Sequence, residues 1–424
     1  MTPPQVIAAV IFIGTIAAMV VRPRGTSEWV WAVTGAVLMI FAGVEPVQLA
    51  ARAIAARYDV LLFFAGLMVI IAVAEQAGFF GWIAYRAALT ARGSQSRLFL
   101  AVIAYGAIVA AFLTNDAAAL VMTPLIYAFA RTMRLSAMPF AFACTFIANG
   151  ASLALPISNP VNFIIAQAAG LHLFDYLRLL WLPAIVSTSL TGAMLVWVFR
   201  RDVRGRFDAS QTTVTCSNPR YRLEVTVLLA AAAAALLGAA ALGAAVGLTA
   251  SLAACVLILH ALSHKELRCR STVRGANPSI LVLVAALFAL VDGLRHSGLL
   301  SAPTAGIAAL TAWRPEATAP LAGLASALAA NVFNNLPTSI VIVAMLHGGQ
   351  IPAALDARFA AGAIAGCDLG PNFTTVGSLS TMLWLALLRK RGVQVSALDY
   401  FKVSAIMAPV VLIATFGALW ITAH

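Results

Sequence analysis

The sequence predicts an all-α polytopic membrane protein built as an inverted repeat, with about ten spans, two re-entrant hairpins and two broken helices. Three observations predict this class. Of the 424 residues, 62% are hydrophobic and only 10% are charged, whereas a soluble domain has roughly a quarter charged residues. The apolar residues form long blocks without the alternation of a membrane barrel. Polar clusters interrupt four of these blocks, two in each half of the chain.

Charge and cysteine content exclude several other classes of protein. The formal net charge is +12, but the Lys and Arg residues lie in short loops between apolar blocks, as expected for a bundle oriented in a membrane. We therefore expect no nucleic-acid partner. The five cysteines are scattered, and their spacing predicts neither a metal site nor a disulfide framework. No nucleotide-binding or catalytic motif occurs, which predicts no cofactor and no enzyme activity.

The length of each apolar block defines the spans, because about 20 apolar residues are needed to cross a bilayer. The ten predicted spans are 4–21, 28–45, 60–77, 138–170, 179–199, 223–241, 244–262, 280–297, 356–388 and 401–422. Two of them, 138–170 and 356–388, are too long for one straight helix and contain Pro and Asn near the middle. We predict that these two are broken helices.

Two further apolar regions, 98–130 and 319–347, have polar clusters at their centres. The clusters lie at 114–116 (Thr-Asn-Asp) and 334–338 (Asn-Asn-Leu-Pro-Thr), and each apolar limb beside them has about 14–16 residues. At a rise of about 1.5 Å per residue, such a limb crosses only part of a bilayer. We predict two re-entrant hairpins whose polar tips lie at mid-depth in the membrane.

The distribution of cationic residues gives the orientation of the chain. Ten spans and two hairpins place both termini outside, and 21 of the 27 Lys and Arg residues then lie on the cytoplasmic side. A bias of this kind is the signature by which membrane helices are oriented. The charge distribution therefore supports the predicted topology, although it does not distinguish a re-entrant hairpin from two full crossings.

The two halves of the chain resemble each other. Asn115 precedes Asn335 by 220 residues, and the same offset separates Gly78 from Gly298. We pair Asn159 with Asn372 as a second equivalent set. The span at 60–77 runs inward and that at 280–297 runs outward, so the repeats are inverted. The predicted organisation is a first repeat at 1–200, a cytoplasmic linker at 201–222 and a second repeat at 223–424.

Inverted halves with broken helices are typical of secondary transporters, whose substrate binds near the membrane midplane. A break leaves backbone N–H and C=O groups without partners, which costs several kcal/mol per group in hydrocarbon. Breaks therefore persist where they line a cavity or bind a solute. Four breaks at one depth predict a single transport site.

Two aspartates are the candidate proton-coupling residues. Asp116 lies at the first hairpin tip, where an ionised carboxylate costs about 3 kcal/mol on insertion scales. It is either a proton carrier or cation ligand, or a cap of the second hairpin limb, or both. Asp368 precedes the break in 356–388. It is either a second proton site or a carboxylate whose hydrogen bonds are satisfied by the neighbouring hairpin.

Neutral donors and acceptors make up the rest of the predicted substrate site. These residues are Asn115, Ser158, Asn159, Asn335, Thr338, Asn372, Thr374 and Thr375. Such groups suit a small, uncharged, hydroxyl-rich solute. No Lys or Arg lies at the four breaks, where an ionised anion would normally need one, although helix N-termini alone supply part of such a field. Cys367 is either an inert buried thiol or a transient ligand for the solute.

The residues at these breaks resemble the arsenite/antimonite efflux permeases of the ArsB type, within the ion transporter superfamily. The most specific stretch is 366–372 (Gly-Cys-Asp-Leu-Gly-Pro-Asn), which continues through 374–381 to Trp384. Supporting stretches lie at 115–120 and 158–162. The order and spacing match over nearly the whole chain, with departures at Ala117 and Pro160, beside the predicted site.

The resemblance implies export of trivalent arsenic or antimony from the cytoplasm across a bacterial inner membrane, driven by exchange for protons. The implied partners are the arsenite or antimonite hydroxide, protons and the lipid bilayer. Members of the family can also pair with a soluble ATPase subunit. Trivalent arsenic is mostly an uncharged hydroxide near pH 7, which agrees with the neutral side chains at the breaks.

The residues leave two alternative functions open. The first is a sodium/proton or carboxylate transporter of the same superfamily, which would be stimulated by sodium. The second is a membrane-embedded enzyme, which would need a catalytic constellation that includes Ser, His or paired acids. The six histidines lie in loops or at span ends, away from Asp116, so the sequence favours transport.

Overall fold

The computed structural model describes residues 1–133, 135–207, 218–348 and 351–423, and within them the regular structure is helical. The helices of the first half are α1 Pro3–Val21, α2 Glu28–Phe41, α3 Val47–Ala55, α4 Tyr58–Gln76, α5 Phe79–Ala91, α6 Gln95–Phe112, α7 Asn115–Ala117, α8 Thr123–Thr132, α9 Ala137–Gly150, α10 Pro160–Ala168 and α11 Leu173–Phe199. A π-helical turn joins α7 to α8, and a 3₁₀ turn follows α9.

The second half repeats this order. Its helices are α12 Pro219–Leu242, α13 Val246–Ser263, α14 Cys269–Ala276, α15 Ser279–His296, α16 Ser301–Trp313, α17 Thr318–Phe333, α18 Asn335–Leu346, α19 Ala353–Leu369, α20 Leu379–Lys390 and α21 Ala397–Thr422. A 3₁₀ turn, Gly370–Phe373, follows α19. The first helix of the second half, α12, begins at Pro219, and residues 208–217 of the predicted linker lie outside the described residues.

Nine helices among the described residues are long and apolar enough to cross a membrane: α1, α4, α6, α9 with its 3₁₀ turn, α11, α12, α13, α15 and α21. The chain is therefore an all-helical polytopic membrane protein. This set differs from the ten predicted spans at three helices. The predicted spans 28–45 and 356–388 contain α2 and α19, whose 14 and 17 residues are too few for a candidate span. Conversely, α6 was predicted as a limb of a hairpin, but its 18 residues are long enough to span.

The early end of α2 has a local cause. Gly43 adopts a positive φ of 69°, which reverses the chain direction, and Pro46 lies just beyond it, where it cannot continue a helix. Four further helices, α3, α5, α14 and α16, were not predicted. They have 13 residues or fewer, so none of them forms a block long enough to be recognised as a span.

The two halves interlock through equivalent pairs of helices. Helix α4 packs along α13, and its counterpart α15 packs along α2. Within each half, the helix before the central break packs on the next long helix, α6 on α9 and α17 on α19. In each half, therefore, one long helix packs against a helix of the other half. This packing brings the two sets of helix breaks into one layer.

Backbone-to-backbone packing makes the α17–α19 contact unusually close. A Cβ atom added at Gly362 would overlap the carbonyl oxygen of Ala319, and one added at Gly366 would overlap that of Gly323. Small residues four positions apart are the usual means by which membrane helices approach so closely. This contact fixes α19, which carries Asp368, against the helix that ends at the second polar cluster.

Candidate functional site

Both central polar clusters interrupt a helix and begin the next one. Helix α6 ends at Phe112, and the hydroxyl of Thr114 accepts a hydrogen bond from the Ala117 N–H (3.1 Å) at the start of α7. In the second half, Asn334 Oδ1 accepts from the Leu336 N–H (3.3 Å) at the start of α18. Asn334 has φ 73° and ψ 153°, a backbone region that residues with a Cβ atom rarely adopt and that clusters at functional sites.

Each of these tips is bound to the break of the following helix. The Asn115 N–H donates to the Ser158 carbonyl (3.0 Å), and the Asn335 N–H donates to the Gly377 carbonyl (2.9 Å). Both bonds satisfy a donor at a helix start, where the helix itself offers no acceptor. The two halves therefore hold their breaks together by equivalent backbone hydrogen bonds.

The structure corrects the predicted pairing of Asn159 with Asn372. Asn159 caps α10 by accepting from the Val161 N–H (3.1 Å). The equivalent cap of α20 is Ser378, which accepts from the Thr381 N–H (3.1 Å). The pairing was wrong because it followed residue type, whereas the equivalent positions share a capping role that Asn and Ser both fulfil.

Asp368 is buried at the centre of a hydrogen-bond network that crosses between the halves. Its Oδ1 accepts from Asn159 Nδ2 (2.6 Å) and its Oδ2 from Asn162 Nδ2 (3.0 Å). The side chain is 1% exposed, and no Lys or Arg among the described ion pairs contacts it. A carboxylate that is held by neutral amides can take up a proton without breaking an ion pair.

Asn149 occupies the position in the first half that Asp368 occupies in the second. It lies 219 residues earlier, near the end of α9 as Asp368 lies near the end of α19. Asn149 Nδ2 donates to Asn372 Oδ1 (2.9 Å), and Asn149 Oδ1 accepts from Asn115 Nδ2 at 3.5 Å. Sequence reasoning missed Asn149 and Asn162. The offset of about 220 residues is the signal that would have found Asn149.

A small pocket lies where the two tips approach each other. It is lined by Asn115, Asn159 and Asn335, together with Phe64 and Ser380. Asn115 Oδ1 is buried and has no hydrogen-bond partner among the described residues. A buried acceptor of this kind is costly unless something bonds to it, so the pocket is suited to a small solute with hydroxyl groups.

Two hydroxyl groups that were predicted to bind substrate instead form hydrogen bonds with backbone carbonyl groups. Ser158 Oγ donates to the Ala111 carbonyl (2.6 Å), and Thr338 Oγ1 donates to the Asn334 carbonyl (2.7 Å). Neither residue lines the tip pocket. These side chains therefore support the backbone of the breaks, and the prediction that they bind substrate is not favoured by their contacts.

The remaining predicted residues lie close to the break after α19. Thr374 Oγ1 donates to Asn331 Oδ1 (2.9 Å), Cys367 is fully buried beside Asp368, and Thr375 is half-buried. None of the three lines the tip pocket. Asp116 belongs to α7 by its backbone, but its side chain lies outside the described part of the chain.

Two larger cavities flank the tip pocket. One, of about 810 Å³, is lined by Glu75, Thr114 and Asn277, and it shares Phe64 and Pro160 with the tip pocket. The other, of about 1010 Å³, is lined by residues of α3, of the turn after α3, of α15 and of α18. This lining includes three arginines, and the cavity shares no lining residue with the tip pocket. Of these two cavities, the first shares part of its wall with the tip pocket.

Comparison with known sequences gives a match over the whole chain. The family described as ArsB, arsenical pump membrane protein, matches residues 7–422. The arsenical pump membrane proteins of Escherichia coli strain K12 and Yersinia enterocolitica are 28% and 29% identical over 422 residues, which cover 98% of each chain. A putative arsenical pump membrane protein of Bacillus subtilis is 20% identical over 94% of this chain and 95% of its own.

Solved structures share the fold at lower sequence identity. The Alcanivorax borkumensis YdaH transporter superimposes with a TM-score of 0.54 at 17% identity, covering 88% of this chain and 86% of its own. Neisseria gonorrhoeae MtrF, from a class described as antimetabolite efflux pumps, gives a TM-score of 0.52 at 14% identity over 99% and 95% of the two chains. Both are transporters, and the likeness extends over nearly the whole chain.

Proposed function

The chain belongs to the ArsB arsenical pump membrane protein family, and from this membership we propose that it exports trivalent arsenic and antimony from the cytoplasm in exchange for protons. It is a multi-pass membrane transporter rather than an enzyme. Its close family relatives are bacterial, which supports placement in a bacterial inner membrane. A soluble ATPase subunit is not needed for this exchange.

The observation that carries the substrate proposal is the neutral pocket between the tips. Asn115, Asn159 and Asn335 line it, and the amide oxygen of Asn115 has no hydrogen-bond partner among the described residues. An amide can both donate to a hydroxyl oxygen and accept from a hydroxyl hydrogen. Arsenite and antimonite hydroxides are small and uncharged near pH 7. A sulfate or phosphate ion would instead require a fixed positive charge at the pocket, and no Lys or Arg lines it.

The proposed topology inverts the two halves, at 1–200 and 223–424, across the membrane, with both termini outside. In this proposal α6 to α8 and α17 to α18 form re-entrant hairpins, although the 18 residues of α6 would also suffice for a span. The matching order of helices and the reciprocal pairs α4–α13 and α15–α2 support this topology. In this orientation Asn277 is cytoplasmic and the cavity with three arginines is external. The cytoplasmic cavity shares Phe64 and Pro160 with the tip pocket, which supports a route from the inside to the site in this proposal.

The proposed coupling uses Asp368 and Asp116. Either carboxylate takes up a proton from the outer side and releases it inside, while the elements that carry the tips move against the scaffold to alternate access. The burial of Asp368 and its contacts with Asn159 and Asn162 support a link between protonation and substrate, because Asn159 also lines the tip pocket.

Transport into everted membrane vesicles tests the function directly. We expect arsenite to accumulate in vesicles energised by respiration without ATP, and accumulation to collapse when a proton uncoupler is added. Vesicles from cells without the protein are the control. If sodium, rather than the proton gradient, drives uptake, the sodium-coupled alternative replaces proton exchange. If neither arsenite nor antimonite accumulates, the proposed substrate is wrong.

Replacing Asp116 with asparagine tests the second proposed proton carrier. We expect gradient-driven accumulation to fall at least tenfold, since general proton-transfer groups contribute factors of this size or more, while the protein still folds and inserts. The measurement is arsenite uptake in everted vesicles, normalised to the amount of monodisperse protein. Uptake at the rate of the unmodified protein would exclude Asp116 from coupling.

A further inference from the structure

A second cluster of chemically active side chains lies on the scaffold, away from the tip pocket. It consists of Glu224 on α12 and of His260 and His264, one helical turn apart at α13 and its C-terminal end. Within the described residues, neither α12 nor α13 contributes to the lining of the tip pocket. The proposed transport function does not use these three residues.

The donor atoms of the cluster converge. His260 Nε2 lies 3.2 Å from Glu224 Oε2, and His264 Nε2 lies 3.1 Å from the same oxygen. In a tetrahedral zinc site with metal–donor distances of 2.0–2.1 Å, neighbouring donors are about 3.4 Å apart. The two carboxylate–imidazole separations are therefore close to those around a metal ion, and the ligand atoms of all three residues lie within 4.8 Å of one another.

The contacts inside the cluster are not hydrogen bonds. Glu224 Oε2 and His260 Nε2 are both buried atoms without a hydrogen-bond partner among the described residues, despite their short separation. Burying two polar atoms that form no hydrogen bond with each other lowers the free energy of unfolding. A cation between the donors would satisfy both atoms and the second imidazole as well.

The surroundings hold the donors in place. Arg220 Nε donates to the other carboxylate oxygen, Oε1, of Glu224 (3.2 Å), which leaves Oε2 directed at the histidines. The ring of Tyr221 stacks on that of His260, with centroids 5.7 Å apart and planes 13° apart. Outer contacts of this kind orient the ligands of metal sites.

We propose that Glu224, His260 and His264 form a binding site for a divalent transition metal such as Zn²⁺, which links α12 to α13. Two imidazoles and one carboxylate form a known zinc ligand set with an open fourth position for water. The sequence predicted no metal site because that expectation rested on cysteine spacing. The equivalent positions in the first half, Pro4, Ile40 and Val44, offer no ligands, so the site is confined to the second half.

Zinc binding by the full-length protein tests the proposal. A separate cluster of Glu45, Asp292 and His296 could also hold a metal, so the measurements use an H296A background and an affinity tag without histidine. The protein is stripped with a chelator, loaded with Zn²⁺, desalted and analysed for metal content. We expect about one zinc ion per chain, with two imidazole ligands in the X-ray absorption spectrum.

The variants then assign the ion to its ligands. H260A and H264A are each expected to lower zinc affinity at least tenfold, in line with loss of a direct ligand, and E224Q to lower it without changing the fold. H347A is the matched control, because His347 Nδ1 lies 2.8 Å from the Val343 carbonyl and His347 belongs to neither of the two clusters that could hold a metal. Zinc that is retained by both H260A and H264A would overturn the proposal.

The competing explanation of the cluster is an ion pair between a protonated histidine and Glu224. In that case the H296A protein retains no zinc, and its thermal stability is the same before and after treatment with the chelator. That pair of results would also overturn the metal site. Neither result bears on arsenite transport, which is measured separately.

Discussion

Replacing Asp368 with asparagine is expected to abolish gradient-driven arsenite accumulation. We expect uptake to fall at least tenfold, and the remaining uptake to be the same with and without an uncoupler. The amide has nearly the same shape as the carboxyl group but cannot carry a proton at physiological pH. The measurement is arsenite uptake in everted vesicles energised by respiration. Exchange of arsenite for arsenite without net proton movement is expected to persist, because the amides that line the tip pocket remain in place.

The fold is expected to survive this change. Asparagine at 368 can still accept from either Asn159 or Asn162, and the loss of one hydrogen bond to a charged group costs about 1.5–3 kcal/mol. The matched control is D292N, the same substitution in an aspartate that pairs with Arg295 at 2.9 Å and lies outside the tip pocket. Uncoupler-sensitive uptake at the normal rate in D368N would remove Asp368 from the proposed coupling.

Replacing Gly366 with alanine is expected to destabilise the protein by about 2–4 kcal/mol. The added Cβ atom would overlap the carbonyl oxygen of Gly323, and the opposing atoms are backbone that cannot rotate away. Overpacking costs typically 1–3 kcal/mol and more where the surroundings cannot yield. The measurement is the thermal unfolding temperature and the yield of monodisperse protein in detergent.

The control for this prediction is G417A. Gly417 lies inside α21 and has nothing within 4 Å of an added Cβ atom, so alanine there is expected to leave stability unchanged or to raise it slightly through its higher helix propensity. Equal unfolding temperatures for the two variants would mean that α17 and α19 can separate without cost. Loss of transport in G366A with normal stability would instead locate its effect at the nearby Asp368.

Local patterns in the sequence predicted the positions of the breaks. Residues 114–116 and 334–338 were recognised because polar residues inside an apolar block are costly in a bilayer. The same reasoning identified Asp368 and Asn159. It failed at α2, where a positive φ at Gly43 ends the helix early, and at the short helices α3, α5, α14 and α16, whose length gives no hydropathy signal.

Contacts across the halves were not accessible to this reasoning. Asp368 and Asn159 are 209 residues apart in the chain, yet they form a hydrogen bond of 2.6 Å. Asn162 resembles any other asparagine near an apolar block until the packing places it beside Asp368, and the repeat offset that singles out Asn149 does not show that it contacts Asn372. The pairing of Asn159 with Asn372 was wrong for the same reason, because residue type does not report a capping role.

The sequence by itself determined the class of the protein, its apolar blocks, its helix breaks and its family resemblance, because these depend on composition and local order, which the bilayer constrains residue by residue. The tertiary structure alone decided which polar groups meet. Ser158 and Thr338 bond to backbone, whereas Asn115, Asn159 and Asn335 face one pocket. Which polar groups bond to backbone and which line the pocket depends on how the two halves pack against each other. No local pattern in either half specifies the distances between residues of the two halves.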